Sequence, residues 1–166
     1  MALSTAASKP FQPLIPGFDA KTDREQWRFH FRMDQCIGCH SCEVACAEQN
    51  GLSADHVWRR VGEVEAGEFP NTQRLFISSG CNHCLDAACM KACPTESYRM
   101  TDKGVVVHDD ENCIGCQYCT WACPYGVPVY QADRHIVTKC DMCHHRLEAG
   151  KDPACVQACP SNAIVI

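Results

Sequence analysis

The chemistry of this chain is written in its cysteines. Sixteen of them fall into four groups of four with none left over: Cys36, Cys39, Cys42, Cys46; Cys81, Cys84, Cys89, Cys93; Cys113, Cys116, Cys119, Cys123; and Cys140, Cys143, Cys155, Cys159. Every group opens C-x2-C and closes C-x3-C, and the last three are followed by Pro94, Pro124 and Pro160. Thiols at such spacing have three uses. Eight disulfides are crowded out, because most of the thiols stand only two or three residues apart. Structural zinc also takes four thiolates, but from two separated C-x2-C knuckles. A third cysteine two residues on, then C-x3-C-P, is the bacterial ferredoxin run, and it predicts four [4Fe–4S] clusters. Proline suits the position after the fourth cysteine because it ends the loop without needing an amide donor.

In two-cluster ferredoxins the fourth cysteine of each run ligates the neighbouring run's cluster. That rule predicts the sets Cys36, Cys39, Cys42, Cys159 (cluster 1) and Cys140, Cys143, Cys155, Cys46 (cluster 2). It likewise predicts Cys81, Cys84, Cys89, Cys123 (cluster 3) and Cys113, Cys116, Cys119, Cys93 (cluster 4). The second and third runs then form one unit, and the first and fourth must meet across the chain. The flanks agree. Phe29, Phe31 and Met33 alternate on one face of a strand before the first run, and Ala163–Ile166 is a short apolar strand after the last. These two are expected to pair. Tyr98–Met100 and Val105–Val107 flank the turn residues Thr101-Asp102-Lys103-Gly104, which predicts a hairpin.

The elements that hold these residues have little else to work with. The chain has 166 residues and is 46% hydrophobic, a share that includes the cysteines; without them roughly 36% remains, thin for one domain. The expected fold is α+β: two pseudo-symmetric bacterial 2[4Fe–4S] ferredoxin-like units, with small antiparallel strands and short helices around four clusters. The outer unit joins 28–50 to 134–166, the inner spans 75–130, and 51–74 is an insert within a 28–166 domain. Residues 1–27 contain Lys9-Pro10-Phe11-Gln12-Pro13-Leu14-Ile15-Pro16-Gly17-Phe18, neither a helix nor a self-sufficient core element. This segment is expected to be an arm on a partner subunit, with packing on its own domain as the alternative.

Charge adds a constraint. Fifteen basic and twenty acidic side chains give a net charge of −5, which argues against nucleic acid as the main partner. Each cluster with its four thiolates carries about −2, so four add roughly −8. Arg59, Arg60, Arg134, His135, Lys139, His144, His145 and Arg146 lie near the cysteine groups or between them. They either tune the clusters, meet an anionic partner or form solvated surface. His40 and His83 sit inside runs that already have four thiolates, so they are read as sulfur-bonding or exposed rather than as ligands. No phosphate-cradling loop, zinc-protease helix or nucleophile elbow is present, and no cluster lacks a fourth cysteine. A catalytic site is therefore not expected; electron transfer is. No apolar run approaches the roughly 20 residues of a membrane span, and no export signal is visible.

The four-run order resembles the iron–sulfur subunit of the dimethyl sulfoxide reductase family of molybdenum and tungsten enzymes. The likeness runs from about Arg28 to Ile166. It includes Cys81-Asn82-His83-Cys84, Cys113-Ile114-Gly115-Cys116-Gln117-Tyr118-Cys119, Ala122-Cys123-Pro124-Tyr125-Gly126 and Thr138-Lys139-Cys140-Asp141. Trp58-Arg59-Arg60-Val61 with Gly67-Glu68-Phe69-Pro70 looks most like the dimethyl sulfoxide reductase and membrane sulfite dehydrogenase branch. The resemblance implies a large partner carrying a bis-pyranopterin molybdenum (or tungsten) centre and one further cluster. It also implies a membrane anchor subunit that exchanges electrons with quinone, with this chain wiring the two. Nitrate reductase relatives replace one cysteine of the third run by tryptophan; Cys116 is present here, which implies four cubanes. The chain stops seven residues after Cys159, where many relatives carry a tail. The expected role is electron transfer in sulfite oxidation, peripheral at the cytoplasmic face of the inner membrane, with co-export to the periplasm as an alternative. Dimethyl sulfoxide, polysulfide or thiosulfate reduction and formate oxidation are alternatives within the same role. A free-standing polyferredoxin-type carrier is the alternative outside it.

Overall fold

The computed structural model describes residues 26–166. Most of the expected N-terminal arm lies outside them. Its last two residues are tied to the rest of the chain: the Gln26 side-chain amide donates to the His83 carbonyl (2.8 Å), and the Trp27 N–H to the Lys103 carbonyl (3.0 Å).

Among the described residues the strands form four separate antiparallel pairs. Strand β1 (His30–Phe31) pairs with β8 (Ile164–Val165), so that Phe31 stands opposite Ile164. The pairing expected between the flanks of the first and last runs is thus present. It is shorter than the alternation suggested. Met33 leaves the strand for a 3-10 turn, Met33–Gln35, and is exposed, because the chain must bend there to enter the first cysteine loop. Strand β4 (Tyr98–Met100) and β5 (Val106–His108) make the hairpin read from the turn residues. Strands β6 (Val129–Gln131) and β7 (Ile136–Thr138) make another.

The segment 51–74 has structure of its own. Strand β2 (Arg60–Glu68) and β3 (Asn71–Ser79) form a hairpin of nine paired positions that continues past residue 74 to the edge of the second cysteine run. An isolated two-stranded ribbon is marginal in water, and most of this one is exposed. Its root is held. Ser78 is buried, and the Phe76 ring lies against Gly38 so closely that a Cβ there would be 2.5 Å from it.

The helices are short and follow the cysteines. Helix α1 (Ser41–Asn50) carries Cys42 and Cys46. Helix α2 (Ala88–Lys91) carries Cys89, α3 (Tyr118–Ala122) carries Cys119, α4 (His144–Glu148) follows Cys143, and α5 (Ala154–Gln157) carries Cys155. Helix α5 packs on α1, and α3 on α2. The residues before α1, α3 and α4 (His40, Gln117 and Cys143) are in the left-handed region, φ 59°, 62° and 49°. A left-handed residue there turns the chain sharply from loop into helix, so the thiols of one loop and the following helix converge on one point.

Apolar packing comes in three small groups rather than one. Ala87, Tyr98, Val106 and Val137 surround Cys119; Ile164 packs with Cys42 and Cys155, covered by Phe29 and Phe31; Val105, Val107 and Met142 form the third. Thiols are members of two of the three. The chain's thin apolar content is concentrated where it encloses sulfur.

Gly115 fixes the third loop. Its φ is +67°, and a Cβ would sit 2.2 Å from the His135 carbonyl oxygen. Gly126 has a similar φ of +59°, but a Cβ there would meet nothing within 4 Å. Gly126→Ala is therefore expected to cost only the left-handed strain, about 1–2 kcal/mol. Gly115→Ala adds a collision with backbone and is expected to lower the thermal midpoint much further. Anaerobic thermal unfolding followed by circular dichroism measures both; equal midpoints for the two variants would contradict the crowding at Gly115.

Candidate iron–sulfur sites

The cavities bring distant cysteines together. One is lined by Cys36, Cys39 and Cys42 from the first run and by Cys159 from the last. Another is lined by Cys81, Cys84 and Cys89 of the second run and by Cys123 of the third. Several of the remaining eight show their neighbours through electrostatics. Burial pushes the Cys46 thiol up to about 12, and the next contributions come from Cys155, the buried Arg59 and Cys143. Cys140 is raised by burial and then by Cys81, with Cys46 also contributing. Cys119 is raised by burial, eased by Tyr98, and raised again by Cys113 and Cys93. Cys116 is exposed at the rim of the third loop, as Cys39 is at that of the first.

Fully buried thiols this hard to ionise are poor metal ligands unless a cation replaces the proton and local dipoles favour sulfur's charge. Dipoles are supplied in a regular way. Backbone N–H groups of His83, Ser97, Val137, Met142 and Ala163 point at Cys81, Cys93, Cys113, Cys140 and Cys159, at 3.2–3.5 Å. The turn after the fourth cysteine is the same in two runs. In Cys93-Pro94-Thr95-Glu96-Ser97 the thiol meets the Thr95 hydroxyl (3.5 Å) and the Ser97 N–H (3.4 Å). In Cys159-Pro160-Ser161-Asn162-Ala163 it meets the Ser161 hydroxyl (3.7 Å) and the Ala163 N–H (3.2 Å). Glu96 and Asn162 take φ 53° and 52° to curl the chain back. Burial opposes ionisation of Cys93 and Cys159, but these hydrogen bonds outweigh it and hold both thiols below their ordinary range. Proline loses no donor here, because the amides that reach sulfur come later in the turn.

The histidines inside the runs differ. His40 is exposed and pairs with Glu43 at 2.7 Å. His83 is fully buried: the Val106 N–H donates to its Nδ1 at 3.1 Å, which leaves the proton on Nε2, 3.9 Å from the Cys140 sulfur. Burial, then the nearby Lys139, pulls its pKa down to about 3, so the ring is neutral. His83 thus sits in the second run while contacting a cysteine of the fourth.

The basic residues separate into two kinds. Arg60, Arg134, His135 and His145 are exposed, and Arg134 pairs with Asp110. His144 faces Asp141, and Arg146 ties Gln49, Asp152 and Gln157 together. Arg59 and Lys139 are each only 3% exposed, and among the described residues neither has a carboxylate partner. Lys139 Nζ donates to the Val106 and Cys140 carbonyls. Among the described residues, Arg59 Nη2 and the Tyr98 hydroxyl are buried with no hydrogen-bond partner. Unpaired buried cations are costly, and their presence among thiols fits a polyanionic group held by those sulfurs. Ser78 and Tyr98, which face Cys42 and Cys119, carry no motif; only strand alternation brings them inward.

Comparison with known proteins agrees with this chemistry. Residues 72–166 match the family model of a 4Fe-4S dicluster domain. One chain of the anaerobic dimethyl sulfoxide reductase of Haemophilus influenzae is 40% identical over 149 residues, covering 84% of this protein and 73% of the relative. The corresponding chain of the Escherichia coli enzyme is 39% identical over 147 residues, covering 84% and 72%. A sulfite dehydrogenase subunit of Allochromatium vinosum is 37% identical over 153 residues, covering 79% and 61%. Two cavities each lined by four thiols, sulfur-directed amides and this similarity converge: the chain is an iron–sulfur protein with 4Fe–4S sites, and it belongs to the family of iron–sulfur subunits of dimethyl sulfoxide reductase and related molybdopterin oxidoreductases.

Proposed function

We propose that this chain is a non-catalytic electron-transfer subunit holding four [4Fe–4S] clusters in two ferredoxin-like units. It links a molybdopterin catalytic subunit to a membrane subunit that exchanges electrons with quinone. The observation that carries this reading is the sharing of one cavity by cysteines of different runs, Cys159 with the first and Cys123 with the second. It supports the crossed sets for clusters 1 and 3. The influence of Cys155 and Cys143 on Cys46, and of Cys113 and Cys93 on Cys119, supports those for clusters 2 and 4, with Cys116 placed in the last by its run. Each cluster, when bound, accepts and releases one electron. The chain's residues enclose most of the sulfurs and aim amides at several of them. Cys39 and Cys116 are exposed, beside exposed Ile37 in one case and Ile114, Tyr118 and Trp121 in the other. Exposed apolar side chains next to the exposed cysteines suit close approach by redox partners.

No helix among the described residues is long and apolar enough to cross a membrane, and the reading has the chain held at the membrane's cytoplasmic face by its anchor partner, with residues 1–27 as the arm on a partner. The substrate of the complex is a sulfur compound, with sulfite oxidation as the first reading. The identity to dimethyl sulfoxide reductase chains, 40% against 37% for the sulfite dehydrogenase relative, favours the reductive reading just as well.

Three measurements test this. Cysteine-to-serine variants of the native complex, followed by EPR, test the ligand sets. Cys159→Ser is expected to alter the same signal as Cys36→Ser, and Cys46→Ser the same signal as Cys143→Ser. If Cys46→Ser instead matches Cys36→Ser, each run keeps its own cluster and the crossed sets are wrong. The second measurement is EPR of the anaerobic complex with substrates. Reduction of the clusters by sulfite assigns oxidation, and reoxidation of dithionite-reduced clusters by dimethyl sulfoxide assigns reduction. Iron well below about sixteen atoms per chain, four for each [4Fe–4S], would remove the four-cluster reading.

A further inference from the structure

Arg59 stands at the root of the β2–β3 hairpin, one residue before β2, and its surroundings are unusual. Nη1 donates to the Ser78 hydroxyl at 3.1 Å, and that hydroxyl lies 3.5 Å from the Cys42 sulfur. The Phe29 ring covers the guanidinium at 4.4 Å. Gly80 makes the room: a Cβ there would stand 3.3 Å from Nη2. Nη2 is itself buried and, among the described residues, has no hydrogen-bond partner. Burial would pull the guanidinium's pKa down, but the charges of Cys155, Cys140, Cys42 and Cys46 reverse this and hold it above its ordinary value. One of those sulfurs, Cys42, belongs to proposed cluster 1; the other three belong to proposed cluster 2.

We infer that Arg59 is a positioning residue that serves clusters 1 and 2 together, the first through the Ser78 hydroxyl and the second through its buried charge, and keeps both easier to reduce than they would otherwise be. This rests on the four-cluster reading. The physical reason is charge. Reduction adds one electron, and no proton, to a group that is already anionic. A fixed cation in a poorly screened interior stabilises the added charge, whereas an exposed one such as Arg134 is screened by water and salt. Arginine suits the position because it stays charged at any working pH and can donate to Ser78 while its charge remains in the interior. A carboxylate partner would cancel the effect, and among the described residues none is present. The hairpin then has a purpose at its base: Arg59, just before one strand, and Ser78, near the end of the other, enter the interior together.

The test is redox titration of the native complex followed by EPR, with iron content, for Arg59→Gln, Arg59→Lys and the exposed control Arg134→Gln. Signals are assigned by the cysteine variants above. Arg59→Gln is expected to shift the reduced-to-oxidised ratio of clusters 1 and 2 at fixed potential by about tenfold toward oxidised, or about 59 mV for a one-electron couple. Clusters 3 and 4 are expected to stay in place, and Arg59→Lys to recover most of the shift. If Arg59→Gln fails to retain iron while Arg59→Lys retains it, the need for the positive charge stands. Unmoved potentials with full iron in Arg59→Gln would overturn the inference. So would a shift shared equally by all four clusters, a shift of the same size in Arg134→Gln, or loss of iron in both Arg59 variants. Absence of cubane signals from the unaltered complex would instead remove the four-cluster reading itself.

Discussion

Everything in this molecule depends on how negative charge is kept inside protein. Ionised sulfur is expensive to bury, and this chain buries or half-buries fourteen of its sixteen cysteines. Three devices make that possible, and they account for most of the architecture. Left-handed residues before three of the helices turn the loops so that thiols converge. Amides that would otherwise close secondary structure are pointed at sulfur instead. Two cations, Arg59 and Lys139, are held in the interior without a carboxylate among the described residues to neutralise them. An ordinary apolar core would have none of these; here the apolar residues form thin shells around the sulfur sites.

Much of this was legible in the sequence because metal ligation demands fixed spacing. The four runs are periodic enough to name the chemistry, and Cys159 lines one cavity with Cys36 and Cys123 another with Cys81, the neighbours that crossed ligation would need. The alternation of Phe29 and Phe31 and the apolar Ile164-Val165 were enough to pair the outermost strands. Met33 was not, because alternation alone does not say where a strand must give way to a loop.

The rest was hidden because burial of a polar group leaves no pattern. Eight basic residues lie near the cysteines, and composition gives no reason to separate Arg59 and Lys139 from the other six. Arg59 and Arg60 are adjacent, yet one is enclosed and the other exposed, since successive residues at a strand's edge face opposite ways. Ser78 and Tyr98 are ordinary strand residues until the hairpins place them over Cys42 and Cys119. His83 could be placed in the second run from the sequence, but its approach to Cys140 depends on a tertiary contact between segments 57 residues apart.

The meeting of Cys159 with the first cysteine run has a consequence for how the molecule is made. During synthesis the cavity of Cys36, Cys39 and Cys42 has no fourth wall until Cys159 and the β8 strand behind it have left the ribosome. The cavity of Cys81, Cys84 and Cys89 is complete once Cys123 emerges. The cavities therefore become complete in a built-in order, and the one that holds the earliest-translated cysteines is closed by the last.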